Sequence, residues 1–324
     1  MAALDLPLSL LDRSRTRAGE PDARALASTI ERARHAEELG YHRFWVAEHH
    51  GVPGIASGSP AVLAAAVAAR TSRIRVGSGG VMLPNHAPLV VAEQFAVLES
   101  LHPGRVDLGL GRSLGFSAPV RQALRATDAG PDRFLADVET VRAFLAGRGP
   151  ITAMPRLAEP PPLFLLAGRR GLALATRAGL PVAVGGALPD LVEPLAAYRR
   201  AVLGAGGQPY VIASVTVMIA ETEERARDLL LPEAWAMAAS RATGAFPPLE
   251  DVDAVRDRPR TPKQRAGVER FLAQAVYGTA DQVAQRLGRL VRQGVDEIMA
   301  TTSTYDRSEQ ARADAALAEL FTTA

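Results

Sequence analysis

Glu48-His49-His50 places a carboxylate beside two of the chain's six histidines. An imidazole is largely neutral near pH 7, so this triplet could move a proton or hydrogen-bond an oxyanion; the plainer reading of either ring is a cap on a strand-end carbonyl. A metal would need ligands from elsewhere, with His86 or Asp107 as candidates. No H-E-x-x-H or facial-triad spacing is present, and no metal is expected. Val76-Gly77-Ser78-Gly79-Gly80-Val81 sets three glycines inside an otherwise apolar run, which implies a bulge, an unusual dihedral or a flat ligand against the backbone. The glycines of Leu108-Gly109-Leu110-Gly111-Arg112-Ser113-Leu114-Gly115 miss the dinucleotide fingerprint by one residue. Arg112 reads as a rim ion pair or as a clamp for phosphate or carboxylate. Gly168-Arg169-Arg170-Gly171 reads as a tight turn with solvated arginines, or as a phosphate cradle of backbone N–H groups and guanidinium forks. Asp107, Glu93 and Glu99 rank second, because their helix or strand context favours structural pairing.

The elements that must position these residues alternate. Apolar and β-branched runs predict strands at 4–11, 41–46, 73–82, 105–110, 163–167, 180–184, 211–220 and 295–300. Between and after them, helical periodicity with Pro or Gly punctuation predicts helices at 22–39, 60–70, 88–101, 132–146, 171–179, 189–203, 223–240, 263–275, 280–293 and 308–320. The polar and glycine-rich features follow strand ends. That placement favours an α/β fold of the (β/α)8 TIM-barrel type over an open doubly wound sheet, with the active site at the C-terminal ends of the strands. The 324 residues are read as one domain, 1–324, enlarged by insertions at about 147–162 and 244–275.

Composition removes whole classes of chemistry. Cysteine is absent, which excludes disulfides, thiolate nucleophiles and thiolate metal sites. Lys263 is the single lysine and has no glycine cradle, so Schiff-base enzymes and P-loop NTPases fall away. The 37 basic and 35 acidic residues are interspersed, a solvated surface and not a nucleic-acid stripe. No signal pattern and no 18-residue apolar run appears, so a cytoplasmic protein without membrane or nucleic-acid partners is expected.

Three stretches together carry a resemblance. Tyr41 through His50 (YHRFWVAEHH), Ser72 through Pro88 (SRIRVGSGGVMLPNHAP) and His102 through Arg112 (HPGRVDLGLGR) resemble, in order and spacing, the bacterial luciferase-like flavin-dependent monooxygenases. Leu8-Ser9-Leu10-Leu11-Asp12, Val276 through Val283 and Asp296-Glu297-Ile298-Met299 are similar to the single-component subgroup, so the resemblance spans nearly the whole chain. It implies reduced FMN, supplied by a separate flavin reductase, bound across the barrel mouth, and transfer of oxygen from dioxygen to a small organic substrate through a flavin C4a-(hydro)peroxide. On this resemblance Gly79-Gly80 corresponds to a non-prolyl cis peptide beside the flavin, with Gly77 and Ser78 in the same cofactor-binding strand. His49 corresponds to the histidine that assists oxygen chemistry, with Glu48 beside it, and Arg112 to an arginine near the flavin phosphate. His50, Asn85 and His86 are expected at the same mouth. Where the subgroup commonly has Gly-Ser-Ser, this chain has Gly168-Arg169-Arg170, whose arginines can replace hydroxyls as phosphate partners. Gly185-Gly186-Ala187 stands in place of an aromatic and histidine segment. A homodimer is implied as well. The alternatives are a deazaflavin (coenzyme F420)-dependent hydride-transfer enzyme on the same barrel and a non-catalytic flavin-binding protein.

Overall fold

Strands buried on both faces need helices outside and side chains within, and the chain supplies both. The computed structural model describes residues 4–126, 130–168, 171–186, 191–244 and 246–321. Its first half runs β1 (Leu8–Asp12), α1 (Asp22–Glu38), β2 (Arg43–Val46), α2 (Pro60–Ala68), β3 (Arg75–Ser78), β4 (Val81–Met82), α3 (Pro88–Leu101), β5 (Val106–Gly111), α4 (Ala118–Ala123) and α5 (Gly130–Leu145). The second half continues with β6 (Leu163–Ala167), α6 (Leu172–Ala178), β7 (Val182–Gly185), α7 (Val192–Gly204), β8 (Val211–Val215), β9 (Val217–Ile219) and α8 (Glu223–Thr243). It ends with α9 (Val252–Arg256), α10 (Pro262–Gln274), β10 (Val276–Gly278), α11 (Ala280–Arg292), β11 (Glu297–Ala300) and α12 (Arg307–Glu319).

Neighbouring barrel strands pair in parallel, and β11 returns to β1, so the sheet closes into the expected eight-stranded barrel, with β3 and β4 sharing one staved position. Outward residues such as Leu10, Phe44, Val76, Leu108 and Ile298 are buried against the helices. Inward residues Trp45, Phe164, Ile212 and Met299 fill the lumen. Helix starts follow local chemistry: Pro60 and Pro88 occupy first turns, and Thr261 and Thr279 form capping boxes with Gln264 and Gln282.

Two expected strands are divided. Residues 73–82 break at Gly79-Gly80, a cis peptide bond, and β3 and β4 both pair with β5. From Gly77↔Asp107 to Val81↔Leu110 the broken strand uses one residue more than β5 over the same span, which is a bulge. Residues 211–220 divide at Thr216: β8 stays in the barrel, while β9 leaves it to pair with β10 in a second, two-stranded parallel sheet that the sequence pattern did not reveal. The stretch 244–275, expected to be an insertion, contains α9 as well as α10; Val255, Val268 and Leu272 pack on Trp235 and Leu231 of α8.

Candidate active site

The loops that leave the C-terminal strand ends enclose a cavity of about 420 Å³. Leu11, Trp45, Leu166 and Met299 give it an apolar wall; Glu48, His49, Gly79, Gly80, Arg112 and Gly168 line it too. Six of the sequence-selected residues therefore meet in one place. Gly77 and Ser78 do not line it; they lie one step deeper in β3. A Cβ on Gly77 would stand 2.4 Å from the Asp107 carbonyl oxygen and one on Gly109 2.1 Å from that of Ser78, while Ser78 Oγ donates to the Gly109 carbonyl at 2.8 Å. The glycines at 77 and 109 thus answer a close approach of strands, and not a ligand. Asn85 sits in the turn after β4, outside the cavity lining, with both amide atoms buried and unpartnered. Arg169 and Arg170 lie outside the described residues.

His49 is set by its loop. Its N–H donates to the Ser57 carbonyl at 2.8 Å, and Ser57 Oγ donates to the Ala47 carbonyl at 2.7 Å, closing residues 47–57 on themselves. Backbone bonds from Thr16 N to Gly54 O, from Gly54 N to Phe246 O and from Leu249 N to Thr16 O lace that loop to the segment after β1 and to the segment between α8 and α9. This lacing brings in Phe246, which meets His49 edge-on at 6.5 Å, while the loop after β5 supplies Phe116, which stacks on His49 at 5.5 Å and 5°. His49 Nδ1 is buried without a partner. Burial first, then the charges of Arg13 and Arg15, pushes the imidazole down to about 3, so it is neutral at physiological pH. Both arginines are anchored on buried Glu233 of α8, at 2.9 Å each. Phe116, Phe246, Arg13, Arg15 and Glu233 escaped sequence reasoning; each is an isolated residue in a loop or a remote helix, with no motif around it.

Glu48 is fully engaged. His50 Nε2 and His86 Nε2 lie 2.6 and 2.7 Å from its Oε1, and the Met82 N–H donates to Oε2 at 2.8 Å. Burial alone would raise its carboxyl, but the bonds from His86, His50 and Met82 outweigh it and hold the group below the ordinary glutamate value. Arg112 is exposed at the rim and makes no hydrogen bond or ion pair among the described residues. Asp107 is elsewhere in the lumen, paired with Arg43 at 2.7 Å and Arg75 at 2.6 Å and bonded by Trp45 Nε1 at 3.0 Å, and Glu99 accepts from the Gly104 N–H; both are structural.

The sequence profile described as luciferase-like monooxygenase matches residues 7–297. The Escherichia coli (strain K12) protein called luciferase-like monooxygenase is 35% identical over 314 residues, covering 93% of this chain and 92% of its own. The solved structure of apo-MsnO8 is 34% identical and superposes with a TM-score of 0.87 over 98% of both chains. At the level of fold alone, similarity extends to the oxygenating constituent of 3,6-diketocamphane monooxygenase in complex with FMN, from the CAM plasmid of Pseudomonas putida (17% identical, TM-score 0.73, 98% and 97% covered). It extends also to an F420-dependent secondary alcohol dehydrogenase (15%, 0.72, 99% and 100%).

Proposed function

The chain belongs to the luciferase-like monooxygenase family, and from that premise we propose that it is a flavin-dependent monooxygenase, using reduced FMN and dioxygen to oxygenate a small organic substrate. The observation that carries this reading is His49: a neutral imidazole with a buried, unpartnered Nδ1, held under two phenyl rings beside the Gly79-Gly80 strand break. The residues present suit a flavin. The apolar wall of Leu11, Trp45, Leu166 and Met299 accepts a flat ring system, and Arg112 offers an uncommitted guanidinium to a phosphate.

When bound, reduced FMN would supply the electrons that activate dioxygen, chemistry that no side chain here provides. His49, kept neutral by its surroundings, offers one N–H and one lone-pair nitrogen with which to hold a proton in place by hydrogen bonding. Phe116 and Phe246 exclude water from it. Glu48, with every carboxylate oxygen engaged, acts as a positioning residue that fixes the start of the His49 loop against β4. Arg112 and Gly168, with Arg169 and Arg170, hold the phosphate.

Reduced flavin comes from a separate reductase. The chain forms a homodimer; Val90, Val97 and Leu101 recur at helical spacing on α3 and are 48, 45 and 66% exposed, an apolar stripe suited to a second copy. Leu101→Arg is expected to yield a monomer by light scattering. The catalytic reading is tested by mixing the protein loaded with reduced FMN with dioxygen in rapid-mixing kinetics. His49→Ala should bind reduced FMN normally yet release hydrogen peroxide much faster than the parent. Unchanged oxygen kinetics in that variant would remove His49 from the chemistry.

A further inference from the structure

Six carboxylates are buried among the described residues, Asp12, Glu48, Asp107, Glu233, Glu297 and Asp314. Five of them are ion-paired to arginine: Asp12 and Asp314 to Arg32, Asp107 and Glu297 to Arg43, Glu233 to Arg15. Glu48 is the exception. Its side-chain partners are two imidazoles, His50 and His86, which come from different loops and converge on the same oxygen. We propose that Glu48, His50 and His86 form a binding site for one divalent transition-metal ion of the zinc type, at the edge of the cavity.

The donor set and its geometry carry the proposal. Two imidazole nitrogens and one carboxylate oxygen are the ligands that zinc and its neighbours in the first transition row select. The three donor atoms all lie within 4.8 Å of one another. A zinc ion bonded at about 2.0–2.2 Å needs its ligand atoms roughly 3.3 Å apart, a modest opening from the present 2.6 and 2.7 Å. The histidine side chains can make that adjustment, because they are 21 and 28% exposed, and the same exposure gives an ion its entry path and leaves room for water as a further ligand. Glu48 itself is anchored: the Met82 N–H on Oε2 leaves Oε1 to face the ion.

Charge and proton balance agree. An imidazole whose Nε2 takes the ion carries its proton on Nδ1, and neither Nδ1 makes a hydrogen bond among the described residues that would oppose that arrangement. The ion supplies the positive charge that arginine supplies to the other five carboxylates.

The test needs neither flavin nor substrate. Untagged full-length protein, stripped with chelator, is titrated at mildly alkaline pH with Co2+, read by its visible ligand-field absorption, and with Zn2+ by equilibrium dialysis and elemental analysis. One equivalent of either ion should bind saturably. His50→Ala and His86→Gln should each lower the affinity roughly tenfold or more, and His102→Ala, remote from the cluster, should not change it. His86→Gln keeps an N–H donor for Glu48 and guards against simple unfolding, which circular dichroism checks. Failure of the parent protein to bind one equivalent, or equal affinity in folded His86→Gln, overturns the site.

Discussion

At the scale of single residues, the site turns on a histidine that stays uncharged. The unfolded chain takes up a proton at His49 as the pH drops below the ordinary value of 6.5, whereas the folded chain resists until about 3. The share of stability that rests on the neutral His49 is therefore complete above 6.5 and is lost as the pH falls from there toward 3. Glu48 acts in the same direction further down, since its lowered value makes its contribution vanish once the carboxylate is protonated. His49→Gln is expected to show a shallower fall of melting temperature on acidification than the parent; an identical slope would mean that the buried imidazole is not neutral. The histidine was legible in the sequence because it stands in a recognisable triplet. Its environment was not, because Phe116, Phe246 and the Arg13–Arg15–Glu233 cluster are joined only by folding of segments far apart in the chain.

At the scale of elements, β3, β4 and β5 decide where the cavity floor lies. Alternation of strands and helices could be read directly from apolar runs and their Pro and Gly boundaries, and six of the eight expected strands follow it undivided. The glycine run was legible as an interruption but not as its cause. Pairing to β5 requires bare backbone at 77 and 109, and the register slip between Gly77↔Asp107 and Val81↔Leu110 is a property of two strands together. Gly109→Ala, whose Cβ would meet the Ser78 carbonyl at 2.1 Å, is expected to cost about 1–3 kcal/mol or more, measured by denaturant titration. Tolerance of that methyl without loss of stability would contradict the close approach. The division at Thr216 was hidden for a similar reason, since β9 is defined by its partner β10 some sixty residues later.

At the scale of the whole molecule, the barrel is tied across its lumen as well as around its wall. Arg43 of β2 reaches Asp107 of β5 at 2.7 Å and Glu297 of β11 at 2.8 Å, and the carboxylates have no exposed side-chain surface. Arg43→Ala would leave both buried charges short of their partner and is expected to destabilise the fold by about 3–5 kcal/mol, read from thermal and denaturant melts. A change near zero would show that the pair is compensated elsewhere. With the scaffold closed in this way, the C-terminal mouth becomes a fixed frame on which loops from β1, β2, β4, β5 and β6 converge, and reduced FMN is the cofactor proposed to occupy it. An anaerobic titration of the purified protein with reduced FMN, and in parallel with reduced F420, tests that directly. Saturable one-to-one binding of reduced FMN is expected, weakened roughly ten- to hundredfold in Arg112→Ala by loss of a charged phosphate contact, with F420 much weaker. Binding of F420 in preference to FMN, or no flavin binding at all, would contradict it.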